Sequence, residues 1–185
     1  MEKVLVTGCA GFIGSNTVDE LLKRGYMVIG LDAFRDYYSR SIKEKNIEDA
    51  MKSKNFRFIE GDILDARLPS VDYVIHEAAQ AGVRSSWGVG FDIYARDNIL
   101  ATQKLLEFYK DSDIKRFVYA SSSSVYGDSA LPMREDRLLK PISPYGVTKL
   151  AGENLCYLYY KNYGAPVLSL RYFTVYGPRQ RPDMA

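Results

Sequence analysis

Residues 3–15, KVLVTGCAGFIGS, decide how the rest of the chain is to be read. Lys3–Thr7 is a short β-branched run that reads as a buried strand, and Phe12 onward reads as a helix. Between them stand glycines 8, 11 and 14. Glycine permits a tight turn and a close backbone approach, and a helix N-terminus offers N–H donors and positive dipole to an anion. Ordinary strand-to-helix turns use glycine too, so the trio alone is weak. Asp32 closes the next strand-like run, MVIGLD, 18 residues beyond Gly14. A carboxylate about 20 residues past such a turn binds the hydroxyls of an adenine ribose and repels a 2′-phosphate. Strand, turn, helix and acid together predict a dinucleotide site that prefers NAD, with Arg35 as a mild counter-signal.

The pattern repeats outward. Strand candidates are residues 3–7, 27–32, 56–62, 71–76, 116–121 and 166–172, several of them nearly all apolar, as parallel strands covered on both faces are. Helical patterns lie around 12–24, 42–53, 92–111 and 145–162. Such alternation predicts an α/β fold with a parallel sheet and right-handed crossovers. Residues 128–143 make the one long loop. The helical stretches 92–111 and 145–162 are apolar on more than one face, which implies either burial under other elements or a helix-pair dimer interface.

Bulk properties remove several function classes. The chain has 185 residues, 46% hydrophobic, with a net charge of +2 spread along its length. That supports one core-forming domain, or one domain plus a fragment of another, and gives no electrostatic case for nucleic acid. No apolar run approaches a membrane span, and MEKVLVT reads directly as a strand rather than a signal peptide. Two cysteines and one histidine provide neither a disulfide framework nor a metal site. A reducing, cytoplasmic setting is expected.

The strand ends carry the candidate chemistry. GDILD (61–65) places Asp62 where an adenine amino group could be met, although Asp after Gly is an ordinary turn as well. HEAAQAGVR (76–84) ends the fourth strand with small residues, and His76 there reads as structural. YASSSSVYG (119–127) ends the fifth, where ligands of open α/β sheets bind. The next helix opens with SPYGVTK (143–149), putting Tyr145 and Lys149 one turn apart on one face. An ammonium beside a phenol lowers its pKa from about 10 toward neutrality, and a nearby serine hydroxyl completes a proton relay. With 15 Tyr and 12 Lys, such a spacing occurs about once by chance, and Tyr157 and Lys161 share it. Position separates the two: the second pair lies three turns further along and reads as surface.

TGCAGFIG, HEAA, SSSSVYG, SPYGVTK and RYFTVYGP, in this order and spacing, resemble the extended short-chain dehydrogenase/reductases of the nucleotide-sugar epimerase/dehydratase type. The resemblance implies a Rossmann-like doubly wound sheet over 1–185, with about 172–185 opening a substrate-binding region. It implies that Gly8, Gly11, Phe12, Ile13 and Gly14 form the pyrophosphate loop and Asp32 the ribose ligand. Asp62 and Ile63 would meet the adenine; Ala78, Ala79, Gln80 and Phe173 would line the nicotinamide side, and Asn98 would hold that region together. Ser122, Tyr145 and Lys149 match the catalytic set, the last two also touching NAD. Glu77 departs from the apolar residue common in HEAA.

Family dehydratases carry Asp-Glu after the catalytic Ser/Thr, and this chain has Ser123 and Ser124. The resemblance therefore implies 4-epimerisation of a UDP-hexose through a 4-keto sugar, with NAD recycled. Thr174, Arg181 and the RPDMA ending look like UDP-glucuronate 4-epimerases, where UDP-glucose 4-epimerases have Asn in place of Thr174. Ser123, Ser124, Thr174 and Arg181 would bind a uronate carboxylate, or else form a solvated structural turn, so UDP-glucose/UDP-galactose and UDP-glucuronate/UDP-galacturonate both stand as the substrate pair, the second favoured. A homodimer through 92–111 and 145–162 is implied. A dehydratase or reductase of the same fold, or a catalytically idle NAD-binding module, are the alternatives. Family members continue for over a hundred residues past position 185, so a fragment of a longer protein is expected.

Overall fold

The computed structural model describes residues 1–182. It contains six strands, β1 Lys3–Thr7, β2 Met27–Asp32, β3 Phe56–Glu60, β4 Tyr73–His76, β5 Arg116–Ser122 and β6 Val167–Tyr172. The principal helices are α1 Phe12–Lys23, α2 Arg40–Met51, α3 Phe91–Tyr94, α4 Ala101–Tyr109 and α5 Pro144–Tyr163. The strand order is β3-β2-β1-β4-β5-β6, that of a doubly wound dinucleotide-binding sheet. Order reverses between β1 and β4, and the crevice beyond their carboxyl ends is where such folds take ligands.

Two compact units divide the chain. The first holds Met1–Ala78, Asp113–Phe117 and the residues from Val175 onward; the second holds Ala79–Ser112 and Val118–Thr174. In the first unit β1 pairs in parallel with β2, Val4 opposite Val28, and with β4, Val4 opposite Tyr73. Its core is Val4, Val6, Cys9, Val18, Val28 and Ala50, with Leu21, Leu22, Phe56 and Phe58 packed around them. Each fully buried Val or Leu contributes about 1.5–3 kcal/mol, so this cluster sets the strand-to-helix geometry around the glycine turn.

The second unit is built around α5. Ser143 caps it, its Oγ accepting from Gly146 N at 3.1 Å, and Pro144 stands in the first turn, where its missing N–H costs nothing. Gly164 closes it in the left-handed region at φ 70°.

Element ends differ from the sequence expectation for identifiable reasons. β3 stops at Glu60 because Asp62 turns the chain, its Oδ1 accepting from Leu64 N at 2.9 Å. The expected single helix over 92–111 is interrupted by a π-helical stretch, Ala95–Leu100. Such stretches rarely arise without a partner for the re-aimed side chain, and Asn98 sits within this one.

Helices α3, α4 and α5 and the π-helical stretch between α3 and α4 divide their apolar residues. Leu105, Leu106, Tyr109 and Tyr159 are buried, whereas Ile93, Leu100, Phe108, Val147 and Leu158 are about half exposed. These helical stretches thus bury some of their apolar residues and leave others exposed. Among the described residues no helix is long and apolar enough to cross a membrane, and no group of His, Cys, Asp and Glu is placed to hold a metal ion. Cys9 and Cys156 are free and buried.

Candidate active site

The glycine turn belongs to the first unit. Gly8 adopts φ 66°, and a Cβ there would lie 2.7 Å from Ala78 N. A Cβ on Gly14 would lie 2.1 Å from the Gly8 carbonyl oxygen. Both positions therefore demand glycine, and the Ala78 backbone packs directly on Gly8. Helix α1 begins after Gly11, which has no side chain to cap it. The first-turn amides of Phe12, Ile13 and Gly14 thus lack a side-chain capping partner, the arrangement that receives a pyrophosphate.

Asp32, at the end of β2, accepts from Ala10 N at 3.0 Å and Phe34 N at 2.8 Å. Its carboxylate fastens the glycine turn to β2 and keeps lone pairs for ribose hydroxyls. Arg35 Nη2 donates to Asp62 at 2.5 Å, so the residue that raised the 2′-phosphate question is engaged by a carboxylate. Asp62 thereby serves both a turn and an ion pair. Ile63 is buried in the core next to it. These residues fit a dinucleotide without a 2′-phosphate.

His76 is 1% exposed and shares a 2.7 Å hydrogen bond with Thr7 Oγ1, its ring edge-on to Phe117. Its environment is that of a core histidine.

The second unit carries the candidate reactive groups. Ser122 ends β5 and its Oγ accepts from Ser124 N at 3.1 Å, which caps the short turn Ser123–Tyr126 and leaves the hydroxyl proton to donate. Ser123 and Ser124 are half-buried in that turn. Tyr145 is half-buried on the first turn of α5, edge-on to Tyr94 with ring centroids 6.3 Å apart.

Lys149 follows one turn later. It is buried, with Nζ donating to Ala120 O at 2.7 Å and lying 5.1 Å from the Tyr119 ring centre. An ammonium taken out of water requires such acceptors, and they hold it at the strand end that carries Ser122. By contrast Tyr157 and Lys161 are exposed on α5, the ammonium over its neighbours' rings.

Asn98 does more than sequence spacing indicates. Its Oδ1 accepts from Gln80 N at 2.7 Å, while Nδ2 donates to Gln80 O at 3.0 Å and Thr148 Oγ1 at 2.9 Å. Thr148 Oγ1 in turn donates to Tyr145 O at 2.8 Å. The π-helical turn thus aims one amide at both the Ala79–Gln80 backbone and the turn bearing Tyr145.

Phe173 is mostly exposed, its ring 6.2 Å from that of Tyr126. Thr174 is exposed. Arg181, in the first unit, lies over the Tyr37 ring at 4.8 Å. Residues 183–185 of the RPDMA ending lie outside the described residues. Thr148 and Arg171 fall inside SPYGVTK and RYFTVYGP but were assigned no role there, and Glu153, one turn after Lys149, lies outside every motif.

The profile of the NAD-dependent epimerase/dehydratase family matches residues 4–185. The chain belongs to that family. The family's cofactor is NAD, which agrees with the turn and acid described above. Among curated relatives, an uncharacterized UDP-glucose epimerase, YtcB, of Bacillus subtilis strain 168 is 52% identical over 188 residues, covering 99% of this chain and 60% of that protein. A UDP-glucuronate 4-epimerase of Thermodesulfobacterium geofontis strain OPF15 is 42% identical, covering 98% of this chain and 58% of the relative.

The crystal structure of a Bacillus cereus UDP-glucuronic acid 4-epimerase, in complex with UDP-glucuronic acid and NAD, superposes with a TM-score of 0.96 at 49% identity. That alignment covers 99% of this chain and 60% of the Bacillus cereus enzyme. The family fold is therefore present here over about three fifths of the length of these relatives.

Proposed function

We propose that the protein of which these residues are part is an NAD-dependent UDP-hexose 4-epimerase, with UDP-glucuronate/UDP-galacturonate as the favoured pair. The observation that carries this reading is the buried Lys149 ammonium, held at the end of β5 one helical turn after Tyr145 and beside the strand terminus bearing Ser122. Residues 1–185 would serve as the NAD-binding domain, with 172–185 leading into the substrate-binding region. Gly8, Gly11, Phe12, Ile13 and Gly14 would hold the pyrophosphate, with Asp32 on the ribose and Asp62 and Ile63 near the adenine. Bound NAD supplies a hydride acceptor, and then a donor, at C4 of the sugar.

The chain's own residues manage the proton. Tyr145 takes it from the 4-hydroxyl, Lys149 favours the phenolate by its charge, and Ser122, whose hydroxyl proton is free to donate, bridges sugar and phenol. Asn98 keeps Gln80 and the Tyr145 turn in place, and Ala78, Ala79, Gln80 and Phe173 would border the nicotinamide. Ser123, Ser124, Thr174 and Arg181 would receive the uronate carboxylate through charge-assisted hydrogen bonds. The relatives named for UDP-glucuronate support that choice, while the name of YtcB keeps UDP-glucose as the second reading.

A dTDP-glucose 4,6-dehydratase shares the fold with a TM-score of 0.88 at 34% identity, so architecture alone does not select epimerisation. The two serines after Ser122, neither an acid at neutral pH, favour epimerisation over elimination. The half-exposed Ile93, Leu100, Phe108, Val147 and Leu158 support a homodimer through 92–111 and 145–162. The free, buried cysteines suit a reducing cytoplasm.

The test is incubation of the natural full-length protein with UDP-glucuronate and, separately, UDP-glucose, scored by proton NMR. Appearance of the 4-epimer of the uronate is expected. An unsaturated 4-keto product, or NAD binding with no turnover of either sugar, refutes the proposal.

A further inference from the structure

The same face of α5 that carries Tyr145 and Lys149 continues one turn later to Glu153, whose side chain is 10% exposed. Its Oε1 accepts from Ser121 Oγ at 2.5 Å and from Arg171 Nε at 3.0 Å, and its Oε2 accepts from Arg171 Nη2 at 2.9 Å. Arg171, on β6, also donates through Nη1 to the Tyr126 hydroxyl at 3.1 Å and to Glu135 O at 3.3 Å, while its guanidinium lies 4.9 Å from the Tyr126 ring centre.

The contacts form an ordered series. Lys149 holds the carbonyl of residue 120, Glu153 holds the hydroxyl of residue 121, and residue 122 is the candidate catalytic serine. Helix and strand are thus stitched at two successive residues leading to Ser122. From the other side, Arg171 fixes the hydroxyl of Tyr126, whose ring borders Phe173. A part-buried ion pair is no strong source of stability, because desolvation cancels much of the attraction. A bidentate fork that also satisfies a serine, a tyrosine and a loop carbonyl does, however, fix geometry.

We propose that Glu153 is a positioning residue. Through Ser121 it fixes the strand end bearing Ser122 against the helix face bearing Tyr145, and through Arg171 it orients the Tyr126–Phe173 aromatic pair. This rests on the epimerase reading above. Reaction geometry displaced by 1 Å costs up to about a hundredfold in rate, so a device that registers Ser122 against Tyr145 acts on turnover more than on affinity.

The experiment uses the natural full-length protein with UDP-glucuronate. Replacing Glu153 itself would strand the part-buried Arg171 charge and confuse unfolding with misalignment, so Ser121→Ala is the primary variant. It removes the stitch and leaves the ion pair whole. The expected result is a fall in kcat of about tenfold or more, with KM and NAD affinity within about twofold and the melting temperature nearly unchanged. Arg171→Lys, which keeps the charge and loses the fork, is expected to show the same split. Unchanged kcat in Ser121→Ala, or a loss proportional to the unfolded fraction, overturns the proposal while the epimerase reading stands. A wild-type protein without turnover overturns both.

Discussion

Gly152 lets α5 approach β5 closely enough for Lys149 to be seated, and Gly152→Ala tests that seating quantitatively. A Cβ at this position would lie 2.1 Å from the Tyr119 hydroxyl oxygen, 2.4 Å from Cζ and 3.0 Å from Cε1. Ordinary carbon contacts are about 3.5–4.0 Å, so helix or ring must retreat by more than 1 Å. Tyr119 is 1% exposed and has no space to enter. The helix therefore yields, and the 2.7 Å bond from Lys149 to Ala120 O lengthens past a useful distance.

Alanine in a helix interior returns about 1 kcal/mol of propensity. Overpacking costs about 1–3 kcal/mol, and loss of a charged hydrogen bond about 1.5–3. The net effect is a destabilisation of about 1.5–5 kcal/mol. At roughly 2–4 °C per kcal/mol for a domain of this size, the melting temperature falls by about 3–20 °C, measured by thermal circular dichroism. Tyr119→Phe in the Gly152→Ala background removes the closest clash and leaves the ring carbon, so part of the loss is recovered. A variant as stable as the parent, or more stable, would show that glycine is not required for this approach, and the account of how Lys149 is seated would fail.

Tyr145→Phe should lower kcat by about 10²–10⁴ with NAD affinity retained, read by NMR turnover and a binding titration; undiminished turnover would remove Tyr145 as the base. Asp32→Ala should weaken NAD binding by tenfold or more and loosen the glycine turn, because the carboxylate accepts from Ala10 and Phe34; unchanged affinity on titration contradicts its role. Burial pushes the Cys156 thiol up to about 12, and burial, reinforced by Asp32, pushes Cys9 well above the usual range. Both should resist thiol reagents at pH 8 until the chain unfolds, and rapid native-state labelling would refute their burial. The unfolded thiol titrates near 8.5, so the stability held through Cys156 is complete below that pH and declines as pH rises toward 12, visible as a falling urea midpoint.

Sequence alone carried the α/β class, the strand-to-helix glycine turn and the acid after β2, because each follows from local rules. β-branched runs favour strands, only glycine tolerates positive φ with a backbone pressed against it, and a fixed distance separates turn from acid. The Tyr145–Lys149 spacing was equally legible, and its position along the chain already separated it from Tyr157–Lys161. Folding adds the physical difference: one ammonium is buried on a strand carbonyl and the other lies in solvent over exposed rings.

The π-helical turn at Asn98 and the Glu153–Arg171–Ser121 network were unreadable for the same reason. Glu153 and Arg171 are 18 residues apart, Asn98 and Thr148 are 50 apart, and no periodicity encodes which residues of separate elements will share a proton. Local pattern sets the elements; the desolvation that turns an ordinary Lys, Glu or Asn into a fixed partner exists only once those elements pack.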